Sequence, residues 1–332
     1  QETMTMLSTT LTALSGATFC IAATGAQAAQ ADSFPNRPIR MIVAFSAGGS
    51  TDTVARYYAV KLGEVLKTNV IVENRPGAAQ MIGINATLNA PADGYTIYLG
   101  TGSSLSQNPG VRTNLPYDPL KNFTLLGLVA TTPGVIVVTP ALPVQTFSEL
   151  ITYAKANPGK LNYGSSGLGS ASHLQAEYFL SLTGVQATHI PFKADAEIMT
   201  AMSGNLVHLG IAPIQGAVGA IRTGKVRPLA ITSATRIASL PDTPSVSELG
   251  FKELQAIDPY TYYGLVGPSG IPDAVVTKIN AAINTVSAMP QTKELMGQNY
   301  FYPSTSTPES FRNYIAQDIA KWRSFSSKIK LD

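Results

Sequence analysis

Cysteine, histidine and charged residues are all scarce in this chain of 332 residues. The single cysteine, Cys20, lies in a segment that we expect to be removed, so the remaining chain offers no disulfide, no thiolate metal site and no cysteine nucleophile. Only 13% of the residues are charged, and 23 basic against 20 acidic residues give a net charge of +3. The basic residues are scattered, which argues against nucleic acid as a partner.

The first 31 residues differ in composition from the rest of the chain. No charge occurs between Leu7 and Ala29, and the stretch ends in Ala26-Gln27-Ala28. A weakly apolar run before a small-x-small site predicts a secretory signal peptide over residues 1–31; a buried or membrane-spanning helix is the alternative. No later stretch is long and apolar enough to span a bilayer. We therefore expect an exported, soluble protein that acts in the periplasm.

The rest of the chain predicts two domains built from alternating strands and helices. Short apolar strands are followed by Gly/Ser loops and amphipathic helices, first between residues 39 and 100 and again between 135 and 232. This alternation predicts an α/β fold in which each lobe is a mixed sheet flanked by helices. We predict lobe 1 over residues 32–134 and 255–332, and lobe 2 over 135–254. The short, stiff apolar connections near Val135–Thr139 and Tyr260–Val266 are the candidates for crossings between the lobes.

Two loops stand out because each follows a strand and opens a helix. They are Phe45-Ser46-Ala47-Gly48-Gly49-Ser50-Thr51-Asp52 and Ser165-Ser166-Gly167-Leu168-Gly169-Ser170-Ala171-Ser172-His173. Glycine lets the backbone approach a ligand closely, and free N–H groups at a helix start favour an anion. The first loop has no Lys or Arg, so backbone amides and hydroxyls would hold the anion. An ordinary capped turn is the alternative for each loop, but two such loops facing each other would clamp one carboxylate.

Signatures of enzymes are weak or missing. The second loop nearly matches a dinucleotide fingerprint, but Ser172 replaces the third glycine and no acidic residue ends the next strand. There is no P-loop and no G-x-S-x-G sequence, and the three histidines lack the spacing of metal ligands. Ser170 with His173 is the best candidate for a Ser–His hydrolase; a structural or ligand-donating histidine is the alternative that we favour. We predict a binding protein without cofactor or metal.

Segments distributed over the chain from Phe34 onward carry a family resemblance. They include Phe34-Pro35-Asn36-Arg37-Pro38-Ile39, Val72-Glu73-Asn74-Arg75-Pro76-Gly77-Ala78, His189-Ile190-Pro191-Phe192-Lys193 and Leu240-Pro241-Asp242-Thr243-Pro244, besides the two loops. The chain resembles the periplasmic solute-binding proteins of tripartite tricarboxylate transporters, the Bug or TctC family. The resemblance implies a two-lobed Venus-flytrap fold, a small carboxylate ligand, and the large and small integral-membrane transporter subunits as partners. We expect a monomer.

The resemblance also implies which segments bind the ligand. In such proteins the loop after the first strand and the Ser/Gly-rich loop of the second lobe hold the ligand carboxylate, partly through waters. The candidate ligand-binding residues are Phe45, Ala47, Gly48, Gly49, Ser50, Thr51, Asp52, Ser103, Ser104, Asn108, Ser165, Ser166, Gly169, Ser170, Ala171, His173, Phe192 and Ala212.

This sequence departs from the family pattern where the far end of the ligand is expected. The family often reads Val-Asp-Leu-Met-Phe-Asp-Asn where this chain reads Val207-His208-Leu209-Gly210-Ile211-Ala212-Pro213, without the acid and the Asp-Asn pair. A missing acid weakens the case for an amino-acid ligand, whose ammonium needs a carboxylate. An acid-poor, apolar wall would suit a di- or tricarboxylate, including an aromatic diacid such as terephthalate. The same module could instead present its ligand to a two-component sensor.

Overall fold

The computed structural model describes residues 34–257 and 259–328. The predicted signal peptide, residues 1–31, lies outside these ranges. In the described ranges two mixed β-sheets are flanked by helices. This is the α/β class that the alternation of strands and helices predicts.

The strands are β1 (Ile39–Val43), β2 (Val70–Asn74), β3 (Thr96–Thr101), β4 (Phe123–Thr132), β5 (Gly134–Val138), β6 (Leu161–Ser165), β7 (Ala187–Pro191), β8 (Leu209–Pro213), β9 (Arg227–Ile231), β10 (Thr261–Pro268) and β11 (Tyr302–Pro303). The helices are α1 (Ser50–Leu66), α2 (Met81–Leu88), α3 (Asn108–Val111), α4 (Pro119–Asn122), α5 (Phe147–Ala156), α6 (Ala171–Thr183), α7 (Asp195–Ser203), α8 (Ile214–Arg222), α9 (Asp273–Ala288), α10 (Pro290–Gln298) and α11 (Pro308–Phe325). A π-helical segment spans Ser103–Gln107, and 3₁₀ turns span Ala78–Gln80, Val246–Glu248, Lys252–Ile257 and Ser326–Lys328.

The first sheet has the strand order β11-β4-β10-β3-β1-β2. Strands β1, β2 and β3 pair in parallel, whereas β10 pairs antiparallel with both β3 and β4. Helices α1 and α9 cover one face through apolar side chains such as Tyr58 and Ile283. Helix α11 covers the other face with Phe311 and Ile315. Both faces of the central strands are therefore buried, which explains their nearly continuous apolar sequence.

The second sheet repeats this plan with the strand order β7-β6-β8-β5-β9. Strand β6 pairs in parallel with β7 and β8, and β5 runs antiparallel between β8 and β9. Helices α5 and α6 pack on one face through residues such as Leu150 and Phe179. Helices α7 and α8 pack on the other face through Ile198 and Ile214. Each parallel strand leads into a helix at its carboxyl end, where ligand sites of α/β sheets form.

The chain first passes between the sheets at Pro133, between β4 and β5. This crossing lies directly before the run Val135–Thr139, near which it was predicted. The run Val135–Thr139 itself pairs only in the second sheet, and the strand that begins at Thr261 pairs only in the first sheet. Proline ends the ladder at the crossing because it has no N–H to donate. The next residue, Gly134, lets Tyr260 pack closely, since an added Cβ there would lie 2.5 Å from the ring.

The end of helix α11 leaves the first sheet and packs on the second. Its Trp322 and Phe325 rings lie 6.2 and 4.1 Å from the ring of Tyr178 in α6. The C-terminal segment therefore connects both halves of the molecule. The exact residue bounds of the two lobes stay a prediction. No helix among the described residues is both long enough and apolar enough for a membrane crossing.

Candidate ligand-binding site

A cavity of about 410 Å³ lies between the two sheets. In the described part of the chain, helices α1, α6, α7 and α8 all begin in its wall. The first N–H groups of a helix have no partner within the helix, and the helix dipole gives its start about half a positive charge. These four helix starts make the cavity attractive to an anion.

The loop before α1 forms one side of the cavity. Gly49 is the N-cap residue of α1 and supplies no side-chain hydrogen bond, so the N–H groups of the first turn stay available to a ligand. Gly48 has φ of +85°, a left-handed conformation in which a Cβ would be strained. The turn of the chain towards the cavity therefore depends on glycine at position 48.

Asp52 stabilises the conformation of this loop through three hydrogen bonds. Its carboxylate accepts hydrogen bonds from Gly48 N, Arg56 Nε and Asn74 Nδ2 at 2.9, 2.8 and 2.9 Å. Burial acts to raise the pKa of Asp52, but these hydrogen bonds, led by that of Arg56, bring the pKa below its usual value. Asp52 does not line the cavity, so it supports the loop without forming part of the cavity wall.

The Ser/Gly loop before α6 forms part of the opposite side. Ser170 caps the helix by accepting a hydrogen bond from His173 N at 3.3 Å, and Ser166 N donates to Ser172 Oγ at 2.9 Å. His173 accepts from Gly169 N through its Nδ1 at 3.2 Å. Internal hydrogen bonds therefore fix the shape of this loop, while Ser166, Ser170 and Ala171 face the cavity.

His173 lies behind this loop as a neutral, buried side chain. Its ring stacks on the ring of His189 at 4.3 Å, and only 3% of the residue is exposed. Burial, followed by the neighbouring charges of His189 and Arg112, lowers the pKa of His173 to about 4. Because Ser170 Oγ bonds to the backbone of His173 and the ring bonds to Gly169, this pair is not arranged as a nucleophile and its base.

The predicted site residues divide into two groups. Those that line the cavity are Phe45, Ala47, Gly48, Gly49, Ser50, Thr51, Ser103, Ser166, Ser170 and Ala171. Those outside the lining are Asp52, Ser104, Asn108, Ser165, Gly169, His173, Phe192 and Ala212. The role of either group in ligand binding stays a prediction.

The residues outside the lining support the walls. Ser165 bonds to His189 Nε2 at 2.6 Å, and Ser104 accepts from the Tyr98 hydroxyl at 3.1 Å. Phe192 and Ala212 pack with the apolar cluster between the second sheet and helices α7 and α8. These contacts place them one layer behind the cavity surface.

Several lining residues were missed from the sequence. They are Ser46, Thr101, Lys193, Ala194, Asp195, Ala196, Pro213, Gln215, Gly216, Tyr260, Thr261 and Tyr263. Many of them belong to the starts of α7 and α8. The topology could have identified these residues, since α7 and α8 follow β7 and β8 at the same sheet edge where α6 follows β6.

Among the described residues, hydrogen bonds join the two lobes, and two of them involve the loops before α1 and α6. Ser50 Oγ donates to Gln215 Oε1 at 2.8 Å, and Asn108 Nδ2 donates to the carbonyl oxygen of Gly169 at 2.6 Å. Gly169 has φ of +70°, and an added Cβ would lie 2.8 Å from Asn108 Oδ1. The structure is therefore a closed arrangement in which each of the two clamping loops contacts the other lobe.

The cavity wall contains one cationic and one anionic side chain, Lys193 and Asp195. The acidic side chain is Asp195, the first residue of α7, which the sequence did not single out. Its Oδ1 atom is buried and has no hydrogen-bond partner. Burial raises the pKa of Asp195 to about 6, against the opposing effect of a hydrogen bond from Ser166.

A strained segment supports the first-lobe wall next to the cavity. Ala78, Ala79 and Gln80 have φ of 47°, 50° and 75°, the left-handed region that non-glycine residues rarely adopt. The side chain of Gln80 donates to Ser103 Oγ at 3.0 Å, and Ser103 in turn bonds to Thr101 Oγ1 at 2.8 Å. Ser103 and Thr101 line the cavity, so this network orients their hydroxyls.

No group of three or more His, Cys, Asp or Glu side chains that could hold a metal ion occurs among residues 34–257 and 259–328. The polar groups of the cavity wall are instead backbone N–H groups, hydroxyls, one amide, one ammonium and one carboxylate. Such a set suits a small polar organic anion.

Comparison with known sequences shows which proteins this chain is similar to. A family model described as "Tripartite tricarboxylate transporter family receptor" matches residues 54–331. Protein BugT of Bordetella pertussis is 33% identical over 293 residues, which cover 88% of this chain and 89% of that protein.

Solved structures show the same architecture. The R. palustris protein Rpa4515, solved with adipate, has a TM-score of 0.82 and 30% identity, covering 89% of this chain and 98% of that one. Periplasmic binding protein BugD gives 0.80 and 32%, again covering 89% and 98%. MatC from Rhodopseudomonas palustris, solved with malate, gives 0.80 and 26%, covering 88% and 100%.

Proposed function

Because the chain belongs to the tripartite tricarboxylate transporter receptor family, we propose that it captures a small carboxylate between its lobes and delivers it to the membrane subunits of such a transporter. Its family and fold are those of periplasmic solute-binding proteins and not of enzymes. The observation that carries the proposal is the convergence of four helix starts on one cavity between the two sheets.

The helix starts would hold the carboxylate through backbone N–H groups. The uncapped first turn of α1 offers donors from one lobe, and the starts of α6, α7 and α8 offer donors from the other. Hydroxyls of Ser50, Thr51 and Ser170 lie in the same wall. Such charge-assisted hydrogen bonds contribute about 1.5–3 kcal/mol each, which is enough for selective binding without an arginine.

A compact diacid fits the size and chemistry of the cavity. The volume of about 410 Å³ lies near the lower end of the usual range for small-molecule pockets. The solved relatives with adipate and malate support a ligand of this size class. The rings of Phe45, Tyr260 and Tyr263 also line the cavity, so an aromatic diacid such as terephthalate belongs in the same test.

Delivery would depend on closure of the lobes around the ligand. The bonds Ser50–Gln215 and Asn108–Gly169 exist only when the lobes meet, so a ligand that contacts both lobes would shift the balance towards this state. The large and small membrane subunits would then recognise the closed form. In this proposal residues 1–31 direct export of the protein, which then acts as a monomer in the periplasm.

The binding step is tested by titrating the purified protein, after removal of co-purified ligand, with aliphatic and aromatic acids of about four to eight carbons. We expect binding heat and a raised melting temperature with at least one acid. Absence of both for every acid would overturn the proposed carboxylate capture. The same samples, assayed with ester substrates, are expected to show no turnover that depends on Ser170.

The transport step needs a cellular test. Cells that lack this protein should take up the identified radiolabelled acid more slowly, and re-expression should restore uptake. Normal uptake with loss of a transcriptional response to the acid would instead support the sensor role.

A further inference from the structure

The backbone of Gly169 is bonded to both lobes at once. Its N–H group donates to Nδ1 of His173 in the second lobe at 3.2 Å, and its carbonyl oxygen accepts from Nδ2 of Asn108 in the first lobe at 2.6 Å. Asn108 in turn donates to the carbonyl oxygen of Ser103 at 2.8 Å, within its own lobe. Asn108, Gly169 and His173 form what we call the interlobe latch, a series of hydrogen bonds that crosses the lobe boundary.

The interlobe latch depends on the protonation state of His173. A histidine nitrogen accepts a hydrogen bond only when it carries no proton, and both ring nitrogens of the cation are donors. Protonation of His173 at Nδ1 would therefore set the ring N–H against the N–H of Gly169. The glycine would have to turn away from the ring, and its carbonyl oxygen would then lose its position opposite Asn108. One proton on the second lobe is thus coupled to a contact with the first lobe.

His173 lies among groups that disfavour a positive charge on its ring. Only 3% of the residue is exposed, and its ring stacks on those of His189 in β7 and Tyr163 in β6, with ring centres 4.3 and 6.4 Å apart. Burial, then His189, then Arg112 of the first lobe lower the pKa of His173 to about 4. Glu177, one turn further along α6, bonds to the hydroxyl of Tyr163. The protonated ring is therefore unfavourable in the closed protein.

Arg112 places one of these unfavourable charges on the opposite lobe. It directly follows α3, and its Nε donates to Oδ1 of Asn108 at 3.0 Å, so it also orients the amide of the interlobe latch. Protonated His173 and Arg112 would repel each other across the lobe boundary. Opening of the lobes would separate the two cations and give the imidazole access to water. The open form therefore binds this proton more strongly than the closed form, and acid favours opening.

We propose that the interlobe latch is an acid-sensitive switch, in which protonation of His173 opens the lobes and releases the bound ligand. The release of a ligand rests on the proposed function, whereas the opening of the lobes does not. The pKa of His173 is about 4 in this closed form, against an ordinary value of 6.5. If opening restored the ordinary pKa, affinity would fall by about 20-fold between pH 7 and pH 5, which sets the upper limit of the effect.

Titration calorimetry at pH 7 and pH 5 tests the switch, with the tightest-binding acid of the aliphatic and aromatic panel as the probe. His173→Asn keeps an acceptor for Gly169 N but does not titrate, and the use of one acid for both proteins removes the effect of the acid's own protonation. We expect the native protein to lose about 5- to 20-fold more affinity than His173→Asn on going to pH 5. Arg112→Gln should lose less affinity than the native protein, because removal of the cation raises the pKa of His173 in the closed form.

The matched control is His208→Asn. His208 also accepts a backbone hydrogen bond through its Nδ1, from Asn162 N at 2.9 Å, but it lies outside the cavity wall and the interlobe latch. This variant should therefore lose as much affinity between pH 7 and pH 5 as the native protein.

Small-angle scattering of the ligand-free proteins measures the opening itself. The radius of gyration should rise from pH 7 to pH 5 in the native protein and stay constant in His173→Asn. Equal losses of affinity in these two proteins, or an unchanged radius of gyration in the native protein, would overturn the acid-sensitive switch. If no acid of the panel binds at pH 7, the proposed function fails, and the scattering alone decides whether the switch exists.

Discussion

Ser50 and Gln215 are joined across the cleft by a hydrogen bond of 2.8 Å between Ser50 Oγ and Gln215 Oε1. Ser50 begins α1 in one lobe, and Gln215 lies in the first turn of α8 in the other. Both residues line the cavity. If the cavity binds the ligand as proposed, closure and ligand binding would therefore share these two side chains.

This bond predicts that Ser50→Ala and Gln215→Ala each weaken ligand binding. A neutral hydrogen bond contributes about 1 kcal/mol, so each variant should lose about fivefold in affinity. The double variant should lose less than the product of the two effects, because the same bond is removed twice. Titration calorimetry gives the affinities, and small-angle scattering of the ligand-free protein should show more open molecules. Fully additive losses would contradict a shared bond.

Gly48→Ala is expected to reduce affinity more than its effect on stability would suggest. Gly48 has φ of +85° in the loop that presents the α1 N–H groups, and an alanine there would be strained or would turn the loop. Gly159 is a matched control, because it has φ of +72°, open space around its Cα and no place in the cavity lining. Both alanine variants should lose about 1 kcal/mol of unfolding free energy, but only Gly48→Ala should lose binding. Equal affinities would show that the loop does not contact the ligand.

The buried His173 predicts a loss of stability in mild acid. Its pKa is about 4 in the folded protein, against an ordinary value of 6.5. The stability that its neutral form contributes is therefore present above pH 6.5 and is lost as the pH falls towards 4, by at most about 3 kcal/mol. His173→Asn keeps an acceptor for Gly169 N but does not titrate, so urea unfolding of this variant should depend less steeply on pH across that window. Parallel pH curves for both proteins would be evidence against this assignment.

Asp195 predicts a pH dependence of the opposite sign in the ligand-free protein. Its pKa is raised from 3.8 to about 6 by burial. The stability linked to its protonated form is present below pH 3.8 and is lost as the pH rises through 6, so Asp195→Asn should become progressively more stable than the native protein between pH 4 and 7. The gain has an upper limit of about 3 kcal/mol. Thermal unfolding at fixed pH values checks this, and a variant that is less stable at pH 7 would contradict it.

The sheets and the two clamping loops were accessible from the sequence because strong local signals coincide there. The sequence pattern predicts a helix over residues 147–156 and a strand over 161–165, and these agree with α5 and β6. Strand β4 was not predicted, because its sequence Phe-Thr-Leu-Leu-Gly-Leu-Val-Ala-Thr-Thr lacks the alternation of a half-exposed strand. It is largely buried, and Gly127 within it lets Asn280 of α9 approach closely.

The part of the cavity wall formed by the starts of α7 and α8 was not predicted, because residues distant in the sequence meet there. The sequence pattern predicts a helix from Ala196, whereas the observed helix begins one residue earlier, at Asp195. It predicts the next helix from Gly216, whereas the observed helix begins at Ile214 and includes Gln215. Which helix starts face each other depends on the packing of two sheets, and no local pattern carries that information.

The presence of four helix starts at the cavity has a consequence for how the ligand specificity of this protein could change. Main-chain N–H groups persist under any substitution except proline, so under the proposed function they would bind one end of the ligand whatever the side chains are. The other end would meet side chains of the cavity wall, such as Asp195, that can be exchanged singly. Selectivity is therefore separable from affinity, and a small library at those positions should yield receptors for new acids without rebuilding the fold.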